Sequence, residues 1–443
     1  MLHPDSTISP QGSATSPAPW LTRYRGAVVV ALHVLLLVAL ASALYCFGVI
    51  RYLPTDENVA RWDVYWYEKI AREGYTYSTT TTSSAAFFPL LPYLWRFTGL
   101  SALGMGLLNT TLFLLAFAWL VQQLQLPARV ALLLLSTPSL LFMIIPYTEA
   151  LFFVFGTLLV LGLHRNKLGW WALGLLGCGL TRSASTMFTP ALLFMVLLWA
   201  ARPGQARPAL RWGAVGLLSL GLSVGVVASM QWQQVGEPFA FAHAQKHWGH
   251  VLGVPGFPLF TPSGIDMLWL DALALWVGLA AVGLCCWLAW RWVGQVRQRR
   301  QLPAVPPVVV FSLGYCVCIA LFILLYQGGS IWNIGRYVLA TPFFVVLVWY
   351  LTQQPAWPYR RYLWIAAATL VYWQAFGAYT RGFDNFNTAQ ALWYFGLLTA
   401  YLLAYLMLRQ LRWQREVSML LYAFNLVMLL HLLESFLQYY VVQ

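Results

Sequence analysis

The chain has 443 residues, of which 60% are hydrophobic and only 9% charged, and its formal net charge is +13. A soluble domain carries roughly a quarter charged residues, so this composition excludes an ordinary water-soluble globule, and the length suits about a dozen spans of roughly 20 residues. The six cysteines (Cys46, Cys178, Cys285, Cys286, Cys316, Cys318) all fall in apolar runs; their spacing matches no zinc or disulfide framework, and they read as small core residues.

Residues 1–26 are rich in Ser, Pro and Thr and read as a disordered cytoplasmic tail, leaving 27–443 as a single transmembrane domain. Apolar runs predict spans near 27–50, 99–121, 130–146, 149–163, 168–182, 184–201, 212–232, 267–290, 307–326, 337–352, 362–380, 389–408 and 417–437. The first run is too long for a signal-peptide core and ends without a small-residue cleavage pattern. With loops on alternating sides, Arg129, Arg165, Lys167, Arg202, Arg207, Arg211, Arg297, Arg299, Arg300, Arg360, Arg361, Arg409 and Arg412 share one side. The positive-inside rule makes that side the cytoplasm. The expectation is an all-α integral membrane protein of about 11–13 transmembrane helices in the inner (cytoplasmic) membrane, with its N-terminus cytoplasmic and its C-terminus outside. The basic excess is then a topology signal, and no nucleic-acid partner is needed to explain it.

The acidic residues sort the other way. Of 13, only Asp5 and Glu416 fall on the cytoplasmic side, and Asp384 and Asp271 are among those at or beyond outer ends of spans. Acidic residues contribute little to topology, so this bias points to chemistry on the outer face.

Two outer loops are long, 51–97 and 233–266. In the first, Asn58 as N-cap and Gly74 as C′ residue frame a helix over Val59–Glu73. Trp62, Trp66, Tyr67, Ile70 and Ala71 share one face, predicting an amphipathic helix lying on the membrane surface with its aromatics at headgroup level. Glu68–Arg72 and Lys69–Glu73 are spaced for pairing on the opposite face. Asp63 projects into the aromatic face, where a carboxylate needs a partner or a task. Downstream, Pro89 and Pro92 interrupt the approach to span two.

Arg61-Trp62-Asp63-Val64-Tyr65-Trp66-Tyr67, Ile70-Ala71, Gly74-Tyr75 and Ala86-Phe87-Phe88-Pro89 with Pro92 resemble the first-loop signature of GPI mannosyltransferase II, the PIG-V type, and its bacterial relatives. Pro146-Tyr147-Thr148-Glu149-Ala150-Leu151-Phe152 is similar to that family's Tyr-Ser-Glu-Ala-Leu-Phe. Leu108-Asn109, Gly179-Leu180-Thr181-Arg182-Ser183, Gln245 with Trp248, and Gly335-Arg336-Tyr337 follow in family order. Ala184 and Ser185 depart from the family's segment after Arg182. The resemblance spans residues 61–340. It implies a GT-C glycosyltransferase bundle, a polyprenyl-phosphate sugar donor, most often mannose, and a lipid or glycan acceptor among membrane lipids.

Such a transfer needs a base for the acceptor hydroxyl and cations for the departing phosphate. Asp63 is the candidate base, the alternative being a structural carboxylate paired with Arg61 or Arg182. Arg182 and Arg336, at outer span ends against the positive-inside trend, are the candidate donor-phosphate ligands, supported by Lys246; the alternative is snorkelling. Glu149 opens a span as a helix N-terminal acid, or binds acceptor hydroxyls or orients Arg182. Arg61, Trp62, Tyr67, Tyr147, Gln245, His247 and Trp248 complete the candidate acceptor and substrate lining. His243 and His247 read as polar lining or surface, and no metal or other cofactor is expected. Asp56-Glu57 also resembles the acidic pair of protein mannosyltransferases, which would make Asp56 the base; the flanking Trp and Tyr residues favour Asp63. Competing functions are a lipid-linked glycan flippase or transporter, which would use mid-membrane polar residues such as His33 and Asn109, and a glycan polymerase or ligase.

Overall fold

The computed structural model describes residues 23–298, 303–379 and 386–440. Asp5, Arg299, Arg300, Arg381 and Asp384, and almost all of the expected 1–26 tail, lie outside these ranges. The chain is helical, and among the described residues extended backbone pairs only at a single bridge, Phe260 with Ser330.

The helices, in order, begin with α1 (Arg25–Cys46), α2 (Asp56–Val59), α3 (Asp63–Glu73), α4 (Leu90–Thr98), α5 (Ala102–Leu124) and α6 (Ala128–Leu135). A 3-10 segment, Pro138–Met143, leads to α7 (Glu149–Arg165), α8 (Leu168–Thr181), α9 (Ala184–Ala200) and α10 (Ala206–Val235). Then come α11 (Ala240–Ala244), a 3-10 turn Gln245–Trp248, α12 (Ile265–Gln298), α13 (Pro307–Tyr326), α14 (Ile334–Val338), α15 (Pro342–Gln353), α16 (Tyr359–Tyr372), α17 (Thr388–Met407) and α18 (Gln414–Leu437). Among the described residues, seven helices (α1, α5, α10, α12, α13, α17 and α18) are long and apolar enough to cross a membrane. This is the pattern of a helical multi-pass membrane protein. The other predicted spans form shorter helices, including α8 and α15.

The run 130–146 is no continuous span. Thr137-Pro138 ends α6 and hands the chain to the 3-10 segment, because proline supplies no N–H to extend the preceding helix. The first-loop helix also divides. Thr55, not Asn58, is the N-cap: its side chain accepts the Asn58 N–H, and Asn58 Oδ1 returns the bond to the Thr55 N–H at 2.7 Å, a reciprocal box closing α2. After Ala60 and Arg61, α3 starts afresh at Asp63.

The bundle packs closely where small residues allow it. α7 and α8 run side by side, and a Cβ on Gly174 would collide with the Leu159 backbone. Around them, Phe152, Phe188, Phe311, Tyr315 and Phe343 are fully buried, with Tyr315 and Phe343 centroids 4.5 Å apart. Such aromatic pairs add about 0.5–1.5 kcal/mol each beyond area burial. The result is a rigid support beneath the start of α7 and the end of α8. Cys178 and Cys316 are buried in it, whereas Cys46 and Cys286 are exposed, against the core reading of all six.

Candidate active site

Four charged residues from distant parts of the chain meet at one end of the bundle. Asp63 opens α3, Glu149 opens α7, Arg182 caps α8 and Arg336 lies in α14. Arg336 Nη2 donates to Asp63 Oδ2 at 3.0 Å, its Nε donates to Glu149 Oε1, and its Nη1 donates to Asn333 Oδ1 at 3.4 Å. Arg182 Nη2 pairs with the same Glu149 oxygen at 2.7 Å and donates to Thr148 Oγ1 at 3.0 Å. Glu149 therefore bridges two guanidiniums, and the alternating charges sum to zero. Its side chain is 1% exposed and that of Arg336 3%, while Arg182 retains 15% and Asp63 20%. The solvent-reachable members are thus Asp63 at one end of the chain of charges and Arg182 at the other.

Spare valences lie at both of these ends, and the bridging Glu149 keeps one too, its buried Oε2 having no hydrogen-bond partner. Asp63 Oδ1 takes part in no hydrogen bond among the described residues, and Arg182 Nη1 is buried without a partner. Buried guanidinium groups normally find partners. Burial pushes the Asp63 carboxyl above its ordinary value, while the Arg336 charge pulls the other way. Tyr67, buried beside them with its hydroxyl 3.5 Å from Thr148 Oγ1, is raised above the ordinary tyrosine value, first by burial and then by the Asp63 and Glu149 charges.

The backbone before Asp63 is strained. Trp62 has φ +56°, a left-handed conformation that costs a bulky residue of the order of 1–3 kcal/mol. Its indole packs on Tyr439 with centroids 5.4 Å apart, and Arg61 Nη1 donates to the Leu437 carbonyl at 2.7 Å. Arg61 and Trp62 are thus engaged with the end of α18, and Asp63 pairs with Arg336, not with Arg61 or Arg182 as the structural alternative expected.

The α3 face meets protein on several sides. Val64, Tyr67, Ile70 and Ala71 are buried. Trp66 stacks on Phe87 at 6.0 Å and meets Trp248 edge-on at 5.4 Å, so this aromatic of α3 joins the two long loops. On the other face Glu68 and Arg72 pair, while Lys69 lies over the Trp66 ring at 5.8 Å. Gly74 ends α3 at φ +88°, a conformation that favours glycine, and the next amide, Tyr75, donates to Gln234 Oε1 at 2.9 Å.

Tyr147 is fully buried, its ring 4.7 Å from the Arg336 guanidinium carbon, and Asn109 Nδ2 holds the turn through the carbonyls of Ile145 and Tyr147. Gln245 shares a 2.7 Å bond with His250 and donates to the Ala86 carbonyl at 3.4 Å. Lys246 is exposed and has no acidic partner among the described residues, while His247 is half-buried on the same turn as Trp248. His243 is exposed, 3.8 Å from Glu237. His33 and Asn109 are both engaged, His33 with the Tyr422 hydroxyl at 3.0 Å. Asp56 accepts the Leu103 N–H at 2.8 Å at the start of α5, and this bond, with Ser101, holds its carboxyl below the ordinary range. Among the described residues no group of three or more His, Cys, Asp and Glu side chains is arranged to hold a metal ion. The side chains of Ala184 and Ser185 lie outside the described set.

Two participants were not among the candidate residues, Asp271 and Thr148. Asp271 is buried within α12, accepting the Gly335 N–H at 2.9 Å and the Thr261 hydroxyl at 3.2 Å. It fixes the amide of Gly335, the residue immediately before Arg336, and a Cβ on Gly335 would lie 2.9 Å from Asp271 Oδ1. A carboxylate inside an apolar run was the available signal. Thr148, inside the Pro-Tyr-Thr-Glu motif, links Arg182 to Tyr67. No family model matches the sequence, and no curated protein or solved structure is detectably similar to it.

Proposed function

We propose that the protein is a membrane glycosyltransferase of GT-C type, moving a sugar, mannose by the sequence resemblance, from a polyprenyl-phosphate donor to a hydroxyl of a lipid or glycan acceptor. The reaction takes place at the extracytoplasmic face with inversion at the anomeric carbon. The observation that carries this reading is the pair of open valences at the two ends of one charge chain: Asp63 Oδ1 at one end and Arg182 Nη1 at the other.

In the proposed reaction Asp63 takes the proton of the acceptor hydroxyl as its oxygen attacks the anomeric carbon. The bond from that carbon to the phosphate oxygen breaks, and polyprenyl phosphate leaves with the bonding pair. A positioned base contributes about 10²–10⁴-fold. The elevated Asp63 value suits that task, because a stronger base accepts the proton more readily. Arg182, through Nη1, and Lys246 receive the charge growing on the phosphate. Arg336, with bonds from all three of its nitrogens, chiefly aims Asp63 and reaches the phosphate only with its remaining hydrogens. Tyr67 stays neutral beside the base, and Trp66, Phe87 and Trp248 form an apolar wall that excludes water.

The test compares wild type with Asp63→Asn, each purified and supplied with radiolabelled polyprenyl-phosphate mannose and membrane lipid extract. Transfer by the wild type that falls at least 100-fold in the variant, with donor binding retained, is expected. Full transfer by Asp63→Asn overturns the base assignment, and no transfer by wild type to any extracted lipid counts against the reaction itself.

A further inference from the structure

A second polar site lies at the opposite end of the bundle. Glu149 opens α7 and His164 lies in its last turn, 15 residues later, which at 1.5 Å per residue is about 22 Å away. There a cavity of about 360 Å³ is lined by Leu163, His164, Trp199, Arg202, Gln205 and Val308, among others. The surrounding segments, 163–167, 199–211 and 303–308, contain Arg165, Lys167, Arg202, Arg207 and Arg211 and no acidic residue.

Arg202 is the unusual member. It is half-buried, its Nη2 donates to the Val305 carbonyl, and its Nε is buried with no hydrogen-bond partner. Burial pulls its value below the ordinary arginine range, as expected of a desolvated cation with no counter-ion. Leaving a buried charge without a counter-charge is costly, and an anion in the cavity would remove that cost. The α13 end adds to the field: Pro307 opens the helix without an N–H, and Val308, in its first turn, lines the cavity at the positive pole.

We infer that this cavity binds the phosphate of an anionic phospholipid headgroup, with the acyl chains lying outside it along the neighbouring helices. The volume is ample for a phosphodiester headgroup, and basic pockets between membrane helices are suited to such groups. The inference stands on its own and does not depend on the transferase reading.

The test equilibrates the purified full-length protein, in neutral detergent, with labelled phosphatidylglycerol, phosphatidylcholine or inorganic phosphate. Wild type is expected to hold phosphatidylglycerol at least tenfold more tightly than phosphatidylcholine. Arg202→Ala is expected to abolish that preference, while Arg207→Ala and Arg182→Ala keep it. Competition by inorganic phosphate at equal concentration supports the phosphate site and assigns it to a soluble anion; failure to compete assigns it to the lipid. Unchanged preference in Arg202→Ala, or loss in Arg182→Ala alone, overturns the inference. Should Arg202→Ala not fold, His164→Ala, which leaves the Val305 bond in place, is expected to weaken binding several-fold, and no change there overturns the inference equally.

Discussion

Arg336 and Asp63 stand 273 positions apart in the chain and meet at 3.0 Å, Nη2 to Oδ2. The same guanidinium holds Glu149 through Nε, so one side chain sets the direction of one acid and the charge balance of another.

That double engagement makes Arg336→Lys informative. An ammonium keeps the charge but lacks the planar fork that reaches two carboxylates at fixed angles. Transfer is expected to fall at least tenfold while the protein remains folded, and Arg336→Ala is expected to lose both. Equal transfer by Arg336→Lys and wild type would show that charge alone suffices.

Glu149→Gln should damage stability more than Asp63→Asn does. It removes the central charge and leaves Arg182 and Arg336 facing each other in a buried setting, a loss of about 3–5 kcal/mol for a broken buried pair. Asp63→Asn, at a one-fifth-exposed position, should cost less. Thermal unfolding in detergent orders the two variants, and the reverse order would contradict the bridging role.

The pH dependence follows from the direction of the Asp63 shift. A base works only when deprotonated, so kcat/KM falls as pH drops through its folded value. Burial raises that value, so the acid limb is expected above the ordinary carboxylate range. Glu149→Gln removes a repelling negative charge and should move the limb to lower pH. A limb at the ordinary aspartate value in wild type would contradict a desolvated base.

Gly335→Ala is expected to push Asp271 away from the Gly335 amide, since the added Cβ would sit 2.9 Å from Oδ1. Asp271→Ala removes the same bond and leaves the amide unsatisfied, at about 1–3 kcal/mol. Because both changes break one interaction, the double variant should lose less than the sum, which a double-mutant cycle on unfolding measures.

Much of the bundle was legible because a membrane helix must be apolar along a stretch long enough to span; α1, α5, α10, α12, α13, α17 and α18 all coincide with such runs. Apolarity is blind to backbone state, which is why the 3-10 turn at 138–143 hid inside a run that read as one span. The break after α2 was hidden for a related reason: Thr55 and Asn58 are both good capping residues, and only the backbone path decides between them. Asp63 was legible as a polar residue on an apolar face. Its partner was not, because pairing Asp63 with Arg336 depends on how α3 and α14 pack, and no local pattern encodes that. Trp66 and Trp248 read as separate motif residues, and their contact arises only when the two long loops fold together.

The link from Arg61 to the Leu437 carbonyl, with Trp62 on Tyr439, has a consequence for biosynthesis. The segment bearing Asp63 leaves the ribosome long before Leu437 and Tyr439, the residues that steady it. Arg336, too, emerges well after Asp63. A nascent chain arrested before Arg336 has been made therefore carries the acid without its clamp, and the four charges come together only once α14 has joined the helices made before it.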